Sequence, residues 1–284
     1  MVPPGSAASV ALGLAAATTW GGSDFAGGLG ARRSPALLIV AAGHIVTLLA
    51  LLALCILVPP PMPHRPEFLY GAIAGLEGAL ALALFYRALA MGAMGLTAAL
   101  TGLLTASLPI IFAFGTEGLP RPIAATGLLL GCLAIWLIAH SPSHNTPPLA
   151  LALGAISGAG FGLQLILLKL AANGGILWAL TSARLGGVLG ILLFLPFTLR
   201  GQSESKRWFG FWRMGIVAGV LDTLGNLAYT AAAHTGRLDV AAMVSCLYPG
   251  ITILLAALLL REKPSRRQAL GMAVALASVL LLSL

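Results

Sequence analysis

Of 284 residues, 59% are apolar; only 16 basic and 8 acidic residues serve the whole chain, and the mean hydropathy is +0.99. A soluble domain carries about a quarter charged residues, so a soluble enzyme and a disordered chain are both excluded, and lipid is the remaining solvent for so apolar a surface. The formal charge of +8 does not indicate nucleic acid, because the basic residues stand in short clusters between apolar runs rather than along one face.

In chain order, apolar runs bounded by Pro, Gly and charge predict ten membrane-spanning helices at 8–29, 36–58, 68–91, 95–115, 123–140, 149–172, 177–199, 213–234, 239–260 and 267–284. The first is expected to remain a span rather than be cleaved, since no Lys or Arg precedes it. Strands are disfavoured because the runs are long, rich in Leu, Ala and Gly, and lack alternation. Cys55, Cys132 and Cys246 lie inside apolar runs, giving neither a disulfide framework nor metal-ligand spacing. No metal or cofactor is expected.

Each polar residue at bilayer depth needs a reason, because an ionisable group there costs roughly 2.5–3.5 kcal/mol. In span one, Trp20 and Asp24 are four apart beside Ser23, and Gly21-Gly22 allow bending or close approach. His44 in span two is either a solute contact or a helix-to-helix hydrogen bond. Glu77 sits about nine residues into span three, near the midplane, and Arg87 near the end of that span. Asp24 and Arg87 fall at the same depth and could pair as a gate. Thr97, Thr101 and Thr105 in span four are expected to bond back to their own helix or across to a neighbour. Leu108-Pro109 marks a kink there.

The second half offers the same kinds of residue. Span six places Ser157, Phe161 and Gln164 on one face, and Lys169 is expected to snorkel from its end. Arg184 in span seven is a possible partner for Glu77. Asp222, Asn226 and Tyr229 share a face of span eight, and Tyr248-Pro249 marks a kink in span nine. Glu77 and Asp222 read either as the lining of a cavity that binds an ammonium group or carries a proton, or as buried structural ion pairs. The candidate solute-binding set is therefore Trp20, Ser23, His44, Glu77, Phe161, Gln164, Asp222, Asn226, Tyr229 and Tyr248, with Asp24, Arg87 and Arg184 as gating or ion-pair candidates.

Topology follows from the basic residues. Arg32, Arg33, Arg200, Lys206, Arg207, Arg213, Arg261, Lys263, Arg266 and Arg267 flank the odd-numbered loops, against Arg65, Arg121 and Arg237 on the other face. This places the odd-numbered loops in the cytoplasm and both termini outside. The chain also repeats itself. Ala11-Leu12-Gly13 returns as Ala152-Leu153-Gly154, Gly71 to Gly75 as Gly215 to Gly219, Leu108-Pro109 as Tyr248-Pro249, Glu117 as Glu262 and Gly127 as Gly271, in the same order at offsets of 140 to 145. Five spans per half, an odd number, turn the second half upside down. The expected architecture is all-α: two inverted five-helix repeats, 1–145 and 146–284, around a central cavity.

The segment Phe85-Tyr86-Arg87-Ala88-Leu89-Ala90-Met91-Gly92, followed by Thr97, Pro109 and Glu117, resembles the drug/metabolite transporter superfamily, and more narrowly its ten-helix EamA-type exporters. His234-Thr235-Gly236, Pro249, Leu260, Glu262, Gln268 and Gly271 repeat the pattern. The likeness implies a multi-pass inner-membrane exporter of amino acids or other small metabolites; the inverted repeats add alternating access, and a monomer within the lipid bilayer is expected. Gly118-Leu119-Pro120 departs from that pattern, where a basic turn would follow Glu117. Two other classes compete: a passive channel, and an integral-membrane enzyme on lipid-linked substrates. The enzyme is disfavoured because the acids are isolated and neither a His-Glu-x-x-His helix nor a nucleophile with its base occurs, and the absence of a phosphate-binding Gly-rich loop disfavours self-contained ATP hydrolysis.

Overall fold

The computed structural model describes residues 6–91, 94–139, 147–199, 211–260 and 265–284. Eleven α-helices follow one another: α1 (Ser6–Ala31), α2 (Ala36–Leu57), α3 (Arg65–Met91), α4 (Met94–Thr116), α5 (Pro122–Ala139), α6 (Pro148–Ala171), α7 (Ile176–Leu199), α8 (Phe211–Thr235), α9 (Leu238–Ser245), α10 (Tyr248–Leu259) and α11 (Arg266–Leu282). No strand occurs among the described residues. Leu238–Leu259 counts as one apolar span, so the helices form ten rods, seven of which are individually long and apolar enough to cross a membrane. Side chains such as Ile56, Leu57 and Leu129, more than 70% exposed, form the lipid-facing belt.

Helix ends fall where the sequence forbids continuation. Gly118 (φ 75°) and Gly175 (φ 99°) adopt the left-handed backbone that turns the chain after α4 and before α7. Ser265 starts α11 with a reciprocal capping box: its hydroxyl accepts from Gln268 N, and the Gln268 amide oxygen accepts from Ser265 N. The two prolines expected to kink their spans behave differently. Pro249 lies in the first turn of α10, just after the break at Cys246-Leu247 that separates α9 from α10. Pro109 is carried inside an unbroken α4.

Glycine sets the closest helix approaches. On α2 a Cβ added at Gly43 would lie 2.7 Å from both Gly215 O and Gly219 Cα of α8. On α3 one added at Gly75 would overlap the Ala183 carbonyl of α7, and one at Gly186 the Ala72 carbonyl. Backbones in such contact supply dispersion and carbonyl packing in place of a hydrophobic drive that lipid does not provide. The principal pairs are α1 with α8, α3 with α6 and α7, α2 with α8 and α7, α4 with α6, α1 with α9 and α10, and α5 with α11. Every residue of the short α9, Asp239 included, is buried. Two apolar cores result, one around α9 and one around Ile39, Phe85, Tyr86 and Leu89, and Trp20 packs against both.

Candidate functional site

A narrow cavity of about 40 Å³ opens next to Trp20, walled by Asp24 from α1, Leu82 and Phe85 from α3, Thr105 from α4, Phe161, Gln164 and Leu165 from α6, Asp222 and Asn226 from α8, and Tyr248 from α10. That volume admits a few waters. The spacing of each helix explains its contribution. Trp20 and Asp24, Phe161 and Gln164, and Asp222 and Asn226 are three or four residues apart and share a face.

Two aromatic pairs frame the cavity. Trp20 on α1 lies against Tyr229 on α8 with ring centroids 5.7 Å apart, and Phe161 on α6 meets Phe85 on α3 edge-on at 5.8 Å. Tyr248 adds a third ring, edge-on to Trp20 at 6.5 Å. Tyr229 itself is fully buried and stands behind Trp20, its hydroxyl donating to Leu165 O at 3.0 Å. The Tyr248 hydroxyl is buried beside Thr105 without a well-formed hydrogen bond.

A polar network adjoins the cavity. Arg184 on α7 donates from Nη2 to Asp222 Oδ2 at 2.5 Å and to Thr223 Oγ1 at 2.8 Å, while Asn226 Nδ2 donates to the same carboxylate oxygen at 3.1 Å. Arg184 Nη1 lies 3.0 Å from His44 Nε2, and His44 Nδ1 lies 3.2 Å from Val40 O. A guanidinium cannot accept, so Nε2 is the acceptor and Nδ1 carries the proton that goes to Val40 O. His44 is thus a helix-to-helix link rather than part of the main cavity wall; a narrow side pocket connects it with Arg184, Gln164 and Asn226.

Other expected residues are placed elsewhere. Ser23 is buried as a clamp, bonding the Tyr86 hydroxyl and Ala218 O, each at 2.9 Å. Glu77 points along the α3–α6 contact towards Gly160, outside the cavity, with Oε1 buried and unpartnered. The partner of Arg184 is therefore Asp222, not Glu77. Arg87 is exposed and makes no ion pair with Asp24. The gate expected from their common depth does not form, because Arg87 faces outward while Asp24 faces in. Thr101 does bond back to Thr97 O and across to Gly154 O, both at 2.9 Å. Thr105 and Phe85 line the cavity although neither was singled out as a site residue. Phe85 could have been found, since it stands at an offset of 144 from Tyr229.

On the face where α1 starts and α11 ends, Ser9 and Leu284 border a wider opening of about 710 Å³ with Glu117, Arg121, His234 and Arg237. Lys169 does not snorkel there. It bonds Glu117, whose second oxygen accepts from Leu238 N at the start of α9 at 3.0 Å. Arg237 bonds Asp239 at 2.8 Å and the carbonyls of Glu117 and Gly118. Three segments of the bundle meet in this knot: the end of α4, the end of α6 and the start of α9.

Residues 148–284 match the EamA-like transporter family. A solved structure, described only as the crystal structure of a protein, aligns with 96% of this chain and 95% of its own at a TM-score of 0.73 and 16% identity, which establishes a shared fold. The curated proteins include no match.

Proposed function

With residues 148–284 matching the EamA-like transporter family in a multi-pass membrane protein, we propose that the chain is a secondary exporter of amino acids or similar small metabolites. In this reading it works in the inner membrane by alternating access. The observation that carries it is the cavity: rings and polar groups from both halves converge on one space between two apolar cores. Its present volume is too small for an amino acid, so a solute could enter or leave only if the lining helices part. That favours a carrier over a continuously open pore.

The two-repeat reading, 1–145 and 146–284, has support of the same kind. Exchanging each span with its counterpart in the other half turns the α1–α8 contact into α6–α3, α2–α8 into α7–α3, and α4–α6 into the contact of the α9–α10 span with α1, and all of these occur. It also turns Trp20–Tyr229 into Phe161–Phe85. Inverted halves of this sort rock about a site at their junction. Sidedness follows the basic loops, with the odd-numbered loops cytoplasmic and both termini outside, and the working unit is a monomer.

The test is counterflow into proteoliposomes of the purified protein, preloaded with unlabelled amino acids, amines or other metabolites in turn. A carrier gives labelled uptake that saturates and is accelerated by internal solute. Flux that neither saturates nor exchanges would assign a channel. No flux for any solute in the panel would remove the transport reading.

A further inference from the structure

The charges around the cavity do not balance. Asp24 and Asp222 both line it, close enough to repel each other. Asp222 is compensated: Arg184 binds it from behind, and that guanidinium, 5% exposed, is shared among Asp222, Thr223 and His44 and lies outside the main cavity wall. Asp24 is 6% exposed and, among the described residues, its carboxyl makes neither a hydrogen bond nor an ion pair. A carboxylate in such a setting either holds a proton or gains a positive partner, because its desolvation is otherwise uncompensated.

The surroundings of Asp24 suit one kind of partner. Trp20 is one turn before it on the same helix face, Tyr248 stands edge-on to Trp20, and the Phe85–Phe161 pair lines the same cavity. Aromatic faces attract ammonium groups through their quadrupole and cover the apolar body that carries them. A solute carboxylate would find no such welcome: Arg184 is committed, Asn226 already donates to Asp222, and the uncompensated Asp24 carboxylate would oppose it. We propose that the cavity selects solutes of net positive charge, organic amines with an apolar or aromatic body and no free carboxylate, with Asp24 as their counter-charge. This rests on the transport reading above and, within it, favours amines over amino acids.

The test uses three probes with nearly the same body and different charge: phenethylamine, phenylalanine and 3-phenylpropionate. Binding to the detergent-purified protein is followed by calorimetry, and counterflow is measured in proteoliposomes. The amine should bind and exchange in preference to the zwitterion and the anion. Asp24→Asn should weaken amine binding by roughly tenfold or more, the size of one lost charge-assisted contact, while Asp24→Glu should restore part of it. The thermal transition of each variant separates lost binding from lost folding. Equal or better binding of phenylalanine or 3-phenylpropionate, or amine binding unchanged in Asp24→Asn, overturns the charge rule even if transport is sound. Amine binding that depends on Asp24 without counterflow of any solute keeps the site and removes the transport reading.

Discussion

Arg184 and Asp222 meet at 2.5 Å between α7 and α8, with side chains 6% and 14% exposed, and the pair ties the polar end of the cavity to His44 on α2. Three helices are thus joined through one guanidinium. Removing one partner of a buried pair leaves the other charge uncompensated, at about 3–5 kcal/mol, whereas replacing both by apolar residues costs far less. Arg184→Leu and Asp222→Leu should each lower the unfolding transition in detergent, and the double variant should recover most of the loss. Equal losses that simply add in the double variant would show that the two groups act independently.

Glu117 holds a different junction, and its effect should be conformational. Its side chain joins Lys169 at the end of α6 to Leu238 N at the start of α9, in a pair whose partners are 25% and 19% exposed. Screening limits the ion pair to about 1 kcal/mol or less, so folding should survive its loss. Glu117→Gln keeps the shape and removes the charge. On the transport reading it should loosen the face where α1 starts and α11 ends, and a cysteine at Val240, on the wall of the 710 Å³ opening, should react a few-fold faster with a polar maleimide. Unchanged labelling would make the knot a passive cap.

How much of this was legible in the sequence depends on whether depth or azimuth is asked for. Hydropathy and Pro, Gly and charge boundaries locate the helices, and spacings of three or four residues correctly put Trp20 with Asp24, Phe161 with Gln164 and Asp222 with Asn226. Depth is a matter of counting residues along a helix. The direction a side chain faces depends on which helices become neighbours. Gly75 turns one face of α3 against α7, and Glu77, two residues or roughly 200° further round, is carried towards α6 and away from the cavity. Arg87 shares its depth with Asp24 and faces outward for the same reason. The partner of Arg184 was equally open between two acids of similar depth until the packing of α7 on α8 decided it.

The same packing sets a sharp contrast between two glycines. A methyl group at Gly75 has no room against the Ala183 carbonyl, which is backbone and cannot turn aside. Gly115, within α4, has nothing within 4 Å of where a Cβ would be. Gly75→Ala should therefore destabilise by about 1–3 kcal/mol or more, while Gly115→Ala should be neutral or stabilising, by up to about 1 kcal/mol from helix propensity. Thermal unfolding of both in one detergent checks the ordering. A reversal would mean that α3 and α7 separate readily, which would weaken the pairing on which the two-repeat reading depends.

Glu77 gives the last expectation, because it separates depth from participation. It lies at membrane depth, yet its carboxyl is turned to Gly160, and Oε1 is buried with no hydrogen-bond partner. An unmade hydrogen bond on a buried group costs about 1–3 kcal/mol, and nothing in the cavity wall recovers it. Glu77→Leu should therefore stabilise the fold, and Glu77→Gln should leave counterflow within about twofold of the parent at equal protein density, against the large loss expected from Asp24→Asn. If Glu77→Gln abolishes exchange while folding normally, the α3–α6 seam is part of the transport pathway. The cavity beside Trp20 would then be only one station along it.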